Sequence, residues 1–141
     1  MLFRSPASRS SGLPCQSVIM PPAPSTTLAD TTLYATTPDM FSDSERQRFD
    51  ALSLATRFRI FGADCYAYGL LSAGHVELVA ESNMAPHDFL ALVPVVEGAG
   101  GMITDWQGNP LDLLAGRQVL ATANSALHEQ ALARLDPAAA L

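Results

Sequence analysis

The stretch Ala85–Gly101, APHDFLALVPVVEGAGG, decides how this chain is read. Pro86, His87 and Asp88 form a polar turn, Phe89 to Val96 is an apolar run, and Glu97-Gly98-Ala99-Gly100-Gly101 closes it. The pattern predicts a buried helix from Asp88 to about Gly98, bent where Pro94 removes one backbone bond. Aspartate is favoured at a helix start because its oxygen caps free N–H groups and its charge meets the positive end of the dipole. Glycine stops a helix by entering the left-handed conformation at little cost. An acid on such a mount is either a cap or a held metal ligand, and this segment alone leaves both open.

Working outward, the other segments alternate between strand and helix patterns. Thr31 to Thr37 is rich in β-branched and aromatic residues and predicts a strand ended by Pro38. Ser42 or Asp43 caps a helix on which Phe49, Leu52 and Ala55 repeat at helical spacing. Arg57 to Phe61 reads as a short strand, with Phe58 and Ile60 alternating with Arg57 and Arg59. Gly62-Ala63-Asp64 turns into a helix over Cys65 to Ala73, on which Cys65 is expected to be a small core residue. His75 to Glu81 is the next strand, with Val76, Leu78 and Ala80 on one face. Gly101 to Thr104, a turn at Asp105 to Pro110, a strand over Gln118 to Ala121 and a helix over Ala126 to Leu135 complete the pattern. Strands alternating with helices of about ten residues imply an α/β fold.

Composition excludes several function classes. The 141 residues are 48% hydrophobic and 16% charged, which fits one globular domain with a real core. No run reaches the roughly 18 apolar residues of a membrane helix. Net charge is −6, all eight basic residues are arginine, and a nucleic-acid surface is not expected. Cys15 and Cys65 are too few for a disulfide framework or a zinc site, and the cytoplasm is the expected compartment. Residues 1–27 are Ser- and Pro-rich, with arginines and no acids, and superficially resemble a transit peptide. The preferred expectation is a disordered or mis-started N-terminal segment, with residues 28–141 forming the domain.

Three groups carry candidate chemistry. Gly62, Ala63 and Asp64 sit at a strand-to-helix turn, which either offers backbone N–H groups to an anion or is capped by Asp64. Glu81 ends a strand and Asp88 follows a short loop. Both acids point into one crevice at the carboxyl ends of the strands, or they are two unrelated loop acids. The glycines of Glu97–Gly101 follow a helix and precede a strand, the reverse of a nucleotide-binding loop. His75 and His87 read as structural or exposed, and His128 as solvent-facing. No Ser-His-Asp or Cys-His arrangement emerges.

Beyond these local readings, FGADCYAYGLLSAG (Phe61 to Gly74), VELVAE (Val76 to Glu81) and PHDFLALVPVVEGAGG (Pro86 to Gly101) together resemble the C-terminal half of the inositol monophosphatase family. Within it, Leu33 to Phe41 and Ile103 to Gly108 resemble the bacterial histidinol-phosphatase branch. The resemblance implies the C-terminal αβ layers of an αβαβα sugar-phosphatase-type fold and a Mg2+-dependent phosphomonoesterase. It implies Asp88 as a metal ligand, Gly62, Ala63 and Asp64 as the turn that meets substrate, and Glu81 as the acid that binds a substrate hydroxyl or amine. Arg59 falls at a family position near the subunit interface. The family's first motif, Asp-Pro-(Ile/Leu)-Asp-Gly-Thr, is absent from the 141 residues, as is the upstream Glu of the metal site. Low activity of the chain alone is therefore expected, with an apolar face of the sheet exposed. The partners implied are a small phosphorylated metabolite, histidinol phosphate first and inositol phosphate second, and a further copy or partner subunit. The rival expectation is a non-catalytic truncated paralogue that associates with a full-length subunit.

Overall fold

In a computed structural model, residues 25–114 and 116–136 are described. Most of the segment 1–27 that was expected to be disordered or mis-started lies outside the described residues. The strands are β1 (Thr32–Ala35), β2 (Phe58–Phe61), β3 (Leu78–Glu81), β4 (Met102–Thr104) and β5 (Val119–Thr122). The α-helices are α1 (Asp43–Leu54), α2 (Tyr66–Ser72), α3 (Pro86–Phe89), α4 (Val93–Gly98) and α5 (Ser125–Leu135). One sheet has the order β2-β1-β3-β5-β4. β1 pairs parallel with β2 and β3, and β5 pairs antiparallel with β3 and β4.

Connection handedness explains where the helices lie. The β1-to-β2 and β2-to-β3 crossovers run in opposite directions along the sheet, so right-handed connections send α1 and α2 to opposite faces. The packing agrees. Phe49 and Leu52 of α1 and Leu127, Ala131 and Leu135 of α5 pack on Leu33, Ala35, Leu78 and Ala80. Ala67, Tyr68 and Leu71 of α2 and Val96 of α4 pack with Val79, Val119 and Ala121 on the other face. In β3, Leu78 and Ala80 face one layer and Val79 the other, the period-2 alternation of a strand. All four β3 residues are buried because the strand is central and covered on both sides. Val76, which was expected to share a face with Leu78 and Ala80, precedes the strand and joins the α2 layer instead.

The central strands β3 and β5 are covered on both faces, so the expected exposed apolar surface is confined to part of the sheet. Exposed apolar side chains lie at the sheet edge and on the α2–α4 layer. Phe58 and Ile60 lie on β2, the edge strand, and Tyr66 and Val95 on α2 and α4. β2 buries neither set of its alternating residues.

Helix α1 starts as its sequence dictates. Ser42 is the N-cap, Glu45 reaches back to its backbone N–H at 2.9 Å, and the two form a capping box. Glu45 also accepts from Ser82 Oγ, at the end of β3, and from Gln118 Nε2 at 2.7 Å, just before β5. Burial alone would raise its pKa, but the hydrogen bonds from Ser82, Gln118 and Ser42 outweigh that and lower it from 4.5 to about 2. A depressed carboxyl contributes stability above its unfolded value, and that contribution is lost as pH falls from about 4.5 towards 2. After discounting for partial exposure, the contribution is on the order of 1–2 kcal/mol. Glu45→Gln is expected to be less stable than wild type at pH 7 by that amount, with the gap closing in acid. Urea unfolding of both proteins at pH 7 and pH 3 checks this, and a gap independent of pH would refute it.

Candidate active site

The carboxyl ends of β1, β2 and β3 lie along one edge of the sheet because the three strands are parallel. The chain leaves β1 towards the α1 face and leaves β3 towards the α3–α4 face. Adjacent strands that send their connections to opposite faces leave a crevice between their ends, where open α/β sheets bind ligands. A cavity of about 450 Å³ lies there, lined by Thr36, Met40, Asp64, Cys65, Glu81, Met84, His87, Asp88 and Leu92. Among the described residues, it holds three carboxylates and no arginine lines it.

Glu81 is the most tightly held of these acids. It ends β3 with 1% exposure. Its Oε1 accepts the Thr36 backbone N–H at 3.0 Å and also the Thr36 hydroxyl. Its Oε2 accepts the Tyr68 hydroxyl at 2.7 Å. Tyr68 is fully buried in α2, and burial, followed by the charge of Glu81 and the hydrogen bond to it, pushes the phenol well above its ordinary value.

Asp88 is placed differently from the expectation. It lies in the first turn of α3, whose N-cap is Ala85, and it is not itself the cap. Its Oδ2 accepts the Ala85 N–H at 2.8 Å, and its Oδ1 lies 3.5 Å from His87 Nε2. The side chain is 45% exposed, so the mount is not buried. The single helix expected over Asp88 to Gly98 is two short ones separated by Leu90 to Leu92. Pro94 is the cause: it has no N–H, and its ring collides with the carbonyl four residues back, so the helix restarts with Pro94 in its first turn.

Gly62, Ala63 and Asp64 form a run of three residues with positive φ, at 112°, 76° and 43°. Glycine adopts this region freely, whereas alanine does so at a cost. Gly62 N–H bonds the carbonyls of Ala35 and Thr36, which ties the loop to the end of β1. Among the described residues, the N–H groups of Ala63, Asp64 and Cys65 have no acceptor. Successive left-handed residues present such groups as a concave donor set. Asp64 does not cap α2, whose N-cap is Cys65, and it lines the cavity instead. Gly62 and Ala63 do not line the cavity.

Two further expectations are corrected. Cys65 is exposed at the cavity and is not core, because the loop ends one residue later than its apolar neighbours suggest. His128 is buried, with Nε2 at 2.9 Å from Thr104 Oγ1 and Nδ1 at 3.0 Å from Thr122 Oγ1. Burial lowers its pKa. It lies next to Leu127 and one turn before Ala131 and Leu132, on the side of α5 that meets the sheet. His75 and His87 are exposed, as expected.

The inositol monophosphatase family model matches residues 7–139. The chain belongs to the inositol monophosphatase family. It is 42% identical over 116 residues to the bifunctional phosphatase IMPL2, chloroplastic, of Arabidopsis thaliana, covering 77% of this chain and 34% of that protein. It is 33% identical over 72 residues to the histidinol-phosphatase of Chlorobaculum parvum, covering 51% of this chain and 27% of that one. An inositol monophosphatase from Zymomonas mobilis superposes with a TM-score of 0.75 at 42% identity, covering 77% of this chain and 43% of that chain. The chain thus spans about a third or less of the curated relatives' lengths. The α/β fold with its mixed five-stranded sheet is the one expected for this family.

Among the described residues, no three His, Cys, Asp or Glu side chains lie together as a metal cage. Mg2+ typically takes six oxygens, only one or two of them protein carboxylates, and the rest water and substrate phosphate. Asp88 fits one corner of such a sphere: it is an oxygen donor at the cavity wall, and among the described residues its Oδ2 takes one hydrogen bond.

Two residues that hold Glu81 carry no signal in the sequence. Thr36 and Tyr68 hold Glu81 from 45 and 13 positions away. Neither sits in a chemical motif; Thr36 reads as a strand end and Tyr68 as part of an apolar helix.

Proposed function

We propose that this chain forms the substrate-facing side of a Mg2+-dependent phosphomonoesterase site, acting on histidinol phosphate in preference to an inositol phosphate. The observation that carries the reading is the joining of Asp64, Glu81 and Asp88 in one cavity at the strand ends. Three carboxylates, with no arginine among the described lining residues, repel a phosphate dianion unless a divalent cation accompanies it. The same charge attracts an ammonium group, which histidinol phosphate carries and inositol phosphate lacks.

Each residue then has a role in the proposal. Asp88 holds one corner of the cation. Glu81 accepts a hydrogen bond from a substrate amine or hydroxyl. Behind Asp64 and Cys65, which line the cavity, the free N–H groups of Ala63, Asp64 and Cys65 are offered to substrate oxygens, with Gly62 tying the turn to β1. Bound magnesium supplies charge neutralisation at phosphorus and lowers the pKa of a bound water. The exposed free thiol of Cys65 suits a reducing compartment, and the cytoplasm remains our reading. No helix among the described residues is long and apolar enough to cross a membrane.

With one such metal-facing carboxylate and no Asp-Pro-(Ile/Leu)-Asp-Gly-Thr motif, turnover by these 141 residues alone is expected to be low. A second reading, a non-catalytic chain that associates with a full-length family subunit, is favoured by the apolar residues Phe58 and Ile60 on the exposed edge strand.

The test is a cation titration followed by NMR, with Mn2+ as a paramagnetic stand-in for Mg2+. Resonances of Asp64, His87 and Asp88 are expected to broaden and to recover when Mg2+ is added. Asp88→Asn is expected to weaken the effect about tenfold or more, as loss of a charged oxygen ligand requires, with an unchanged melting temperature. Broadening elsewhere, or indifference to Asp88→Asn, would refute the proposed site. Hydrolysis of histidinol phosphate with added Mg2+ then separates the catalytic from the non-catalytic reading.

A further inference from the structure

The hydrogen bonds around Glu81 limit what it can bind. A carboxylate offers about four lone-pair positions, two on each oxygen. Both positions on Oε1 are filled, one by the Thr36 backbone N–H at 3.0 Å and one by the Thr36 hydroxyl. One position on Oε2 is filled by the Tyr68 hydroxyl at 2.7 Å. Among the described residues, nothing fills the one position that remains. The two hydroxyls reach it from different sides: Thr36 lines the cavity, whereas Tyr68 approaches from the buried α2 layer and does not.

We propose that Thr36 and Tyr68 are specificity-determining positioning residues, which restrict Glu81 to a single hydrogen bond from its ligand. The inference rests on the proposal that Glu81 faces the substrate. It adds a rule about ligand shape. A primary ammonium or one hydroxyl delivers one donor to one oxygen and is accepted. A guanidinium delivers two parallel N–H donors, and a vicinal diol two adjacent O–H donors. Each needs both oxygens, and Oε1 is already full.

The two residues divide the work. The Thr36 hydroxyl stands on the cavity side and occupies the position that a bidentate ligand would take. Tyr68 fixes the plane of the carboxylate from behind, and its phenol is anchored because α2 packs it without exposure. Removing the Thr36 methyl and hydroxyl opens both space and an acceptor on Oε1. Removing the Tyr68 hydroxyl leaves the cavity wall unchanged and frees the carboxylate to rotate.

The experiment uses the full chain and two matched probes in magnesium-containing buffer, 2-aminoethyl phosphate and 2-guanidinoethyl phosphate. Affinities are read by NMR titration for wild type, Thr36→Ala, Tyr68→Phe and Glu81→Gln, with thermal melts as the folding control. Wild type is expected to favour the amine. Thr36→Ala is expected to shift the amine-to-guanidine preference about tenfold towards guanidine, the value of one added charge-assisted hydrogen bond. Tyr68→Phe is expected to weaken the amine several-fold without a comparable shift in preference.

An unchanged preference in Thr36→Ala, while Glu81→Gln weakens amine binding, overturns this inference alone. Indifference of amine binding to Glu81→Gln, or no amine binding by wild type, overturns the site reading and this inference with it. If Thr36→Ala melts early, Thr36→Ser and Thr36→Val decide the matter. Serine keeps the hydroxyl and is expected to keep the wild-type preference, whereas valine keeps the bulk, loses the hydroxyl and is expected to weaken the amine. Equal behaviour of the two overturns the role of the hydroxyl.

Discussion

Trp106→Ala is expected to lower the unfolding free energy by about 3–5 kcal/mol, the range for removing a buried aromatic side chain. Trp106 is 2% exposed and lies in the core cluster between the sheet and the α1–α5 layer. Its Nε1 donates to the Val119 carbonyl at 3.1 Å. The Phe41 ring lies 5.9 Å away and the Arg48 guanidinium 5.1 Å from the indole centroid. Arg48 is itself tied by Nε to the Leu135 carbonyl at the end of α5. Alanine therefore removes the volume, one hydrogen bond and the platform under Arg48 at once. Trp106→Phe keeps most of the volume but leaves Val119 without that donor, and about 1–3 kcal/mol is expected from it. Urea unfolding at neutral pH measures both. A loss below about 1 kcal/mol for the alanine variant would contradict the packing described.

Gly101→Ala is expected to cost about 2–3 kcal/mol by overpacking. A Cβ at this position would sit 2.8 Å from the Thr122 carbonyl oxygen and 2.9 Å from Val96 Cγ1. Neither neighbour can yield cheaply. Thr122 belongs to β5, paired on both sides by β3 and β4. Val96 is fully buried in α4, and its carbonyl accepts the Gly101 N–H at 3.0 Å. The control is Gly98→Ala. That position has open space around it and closes α4, where alanine is the better helix former by up to about 1 kcal/mol. The two variants are thus expected to move stability in opposite directions. Comparable losses from both would mean that α4 and β5 do not approach as closely as the structure has them.

Much of the fold was legible because its signals are local. The spacing of Phe49 and Leu52 and of Leu127, Ala131 and Leu135 marked the faces of α1 and α5 that are buried. The choice of Ser42 or Asp43 marked the start of α1, and the structure makes Ser42 the N-cap. Strand order was not legible from these patterns, since β1 pairs with β3 across 45 residues of chain and no local pattern records it. The apolar run after Asp88 misled because Phe89 and Val96 are buried while Ala91, Pro94 and Val95 are exposed. A proline four residues from a carbonyl outweighs hydropathy there. His128 misled because an imidazole between two threonine hydroxyls is satisfied when buried, and those threonines come from β4 and β5. At the site, the acids were visible as residue types at strand ends and turns. Their holders were not, because a hydroxyl acquires its meaning only from the carboxylate it meets.

The links that build the crevice are long in sequence. Thr36 to Glu81 spans 45 positions, and Glu45 to Gln118 spans 73. Each demands that a large loop be closed before any reward is collected, which slows such contacts relative to helical ones. The crevice is therefore expected to arrive late in folding, after the parallel strands have docked in their final order. A partly folded chain with intact helices would have no binding site at all, and ligand capture would report the completed fold rather than any piece of it.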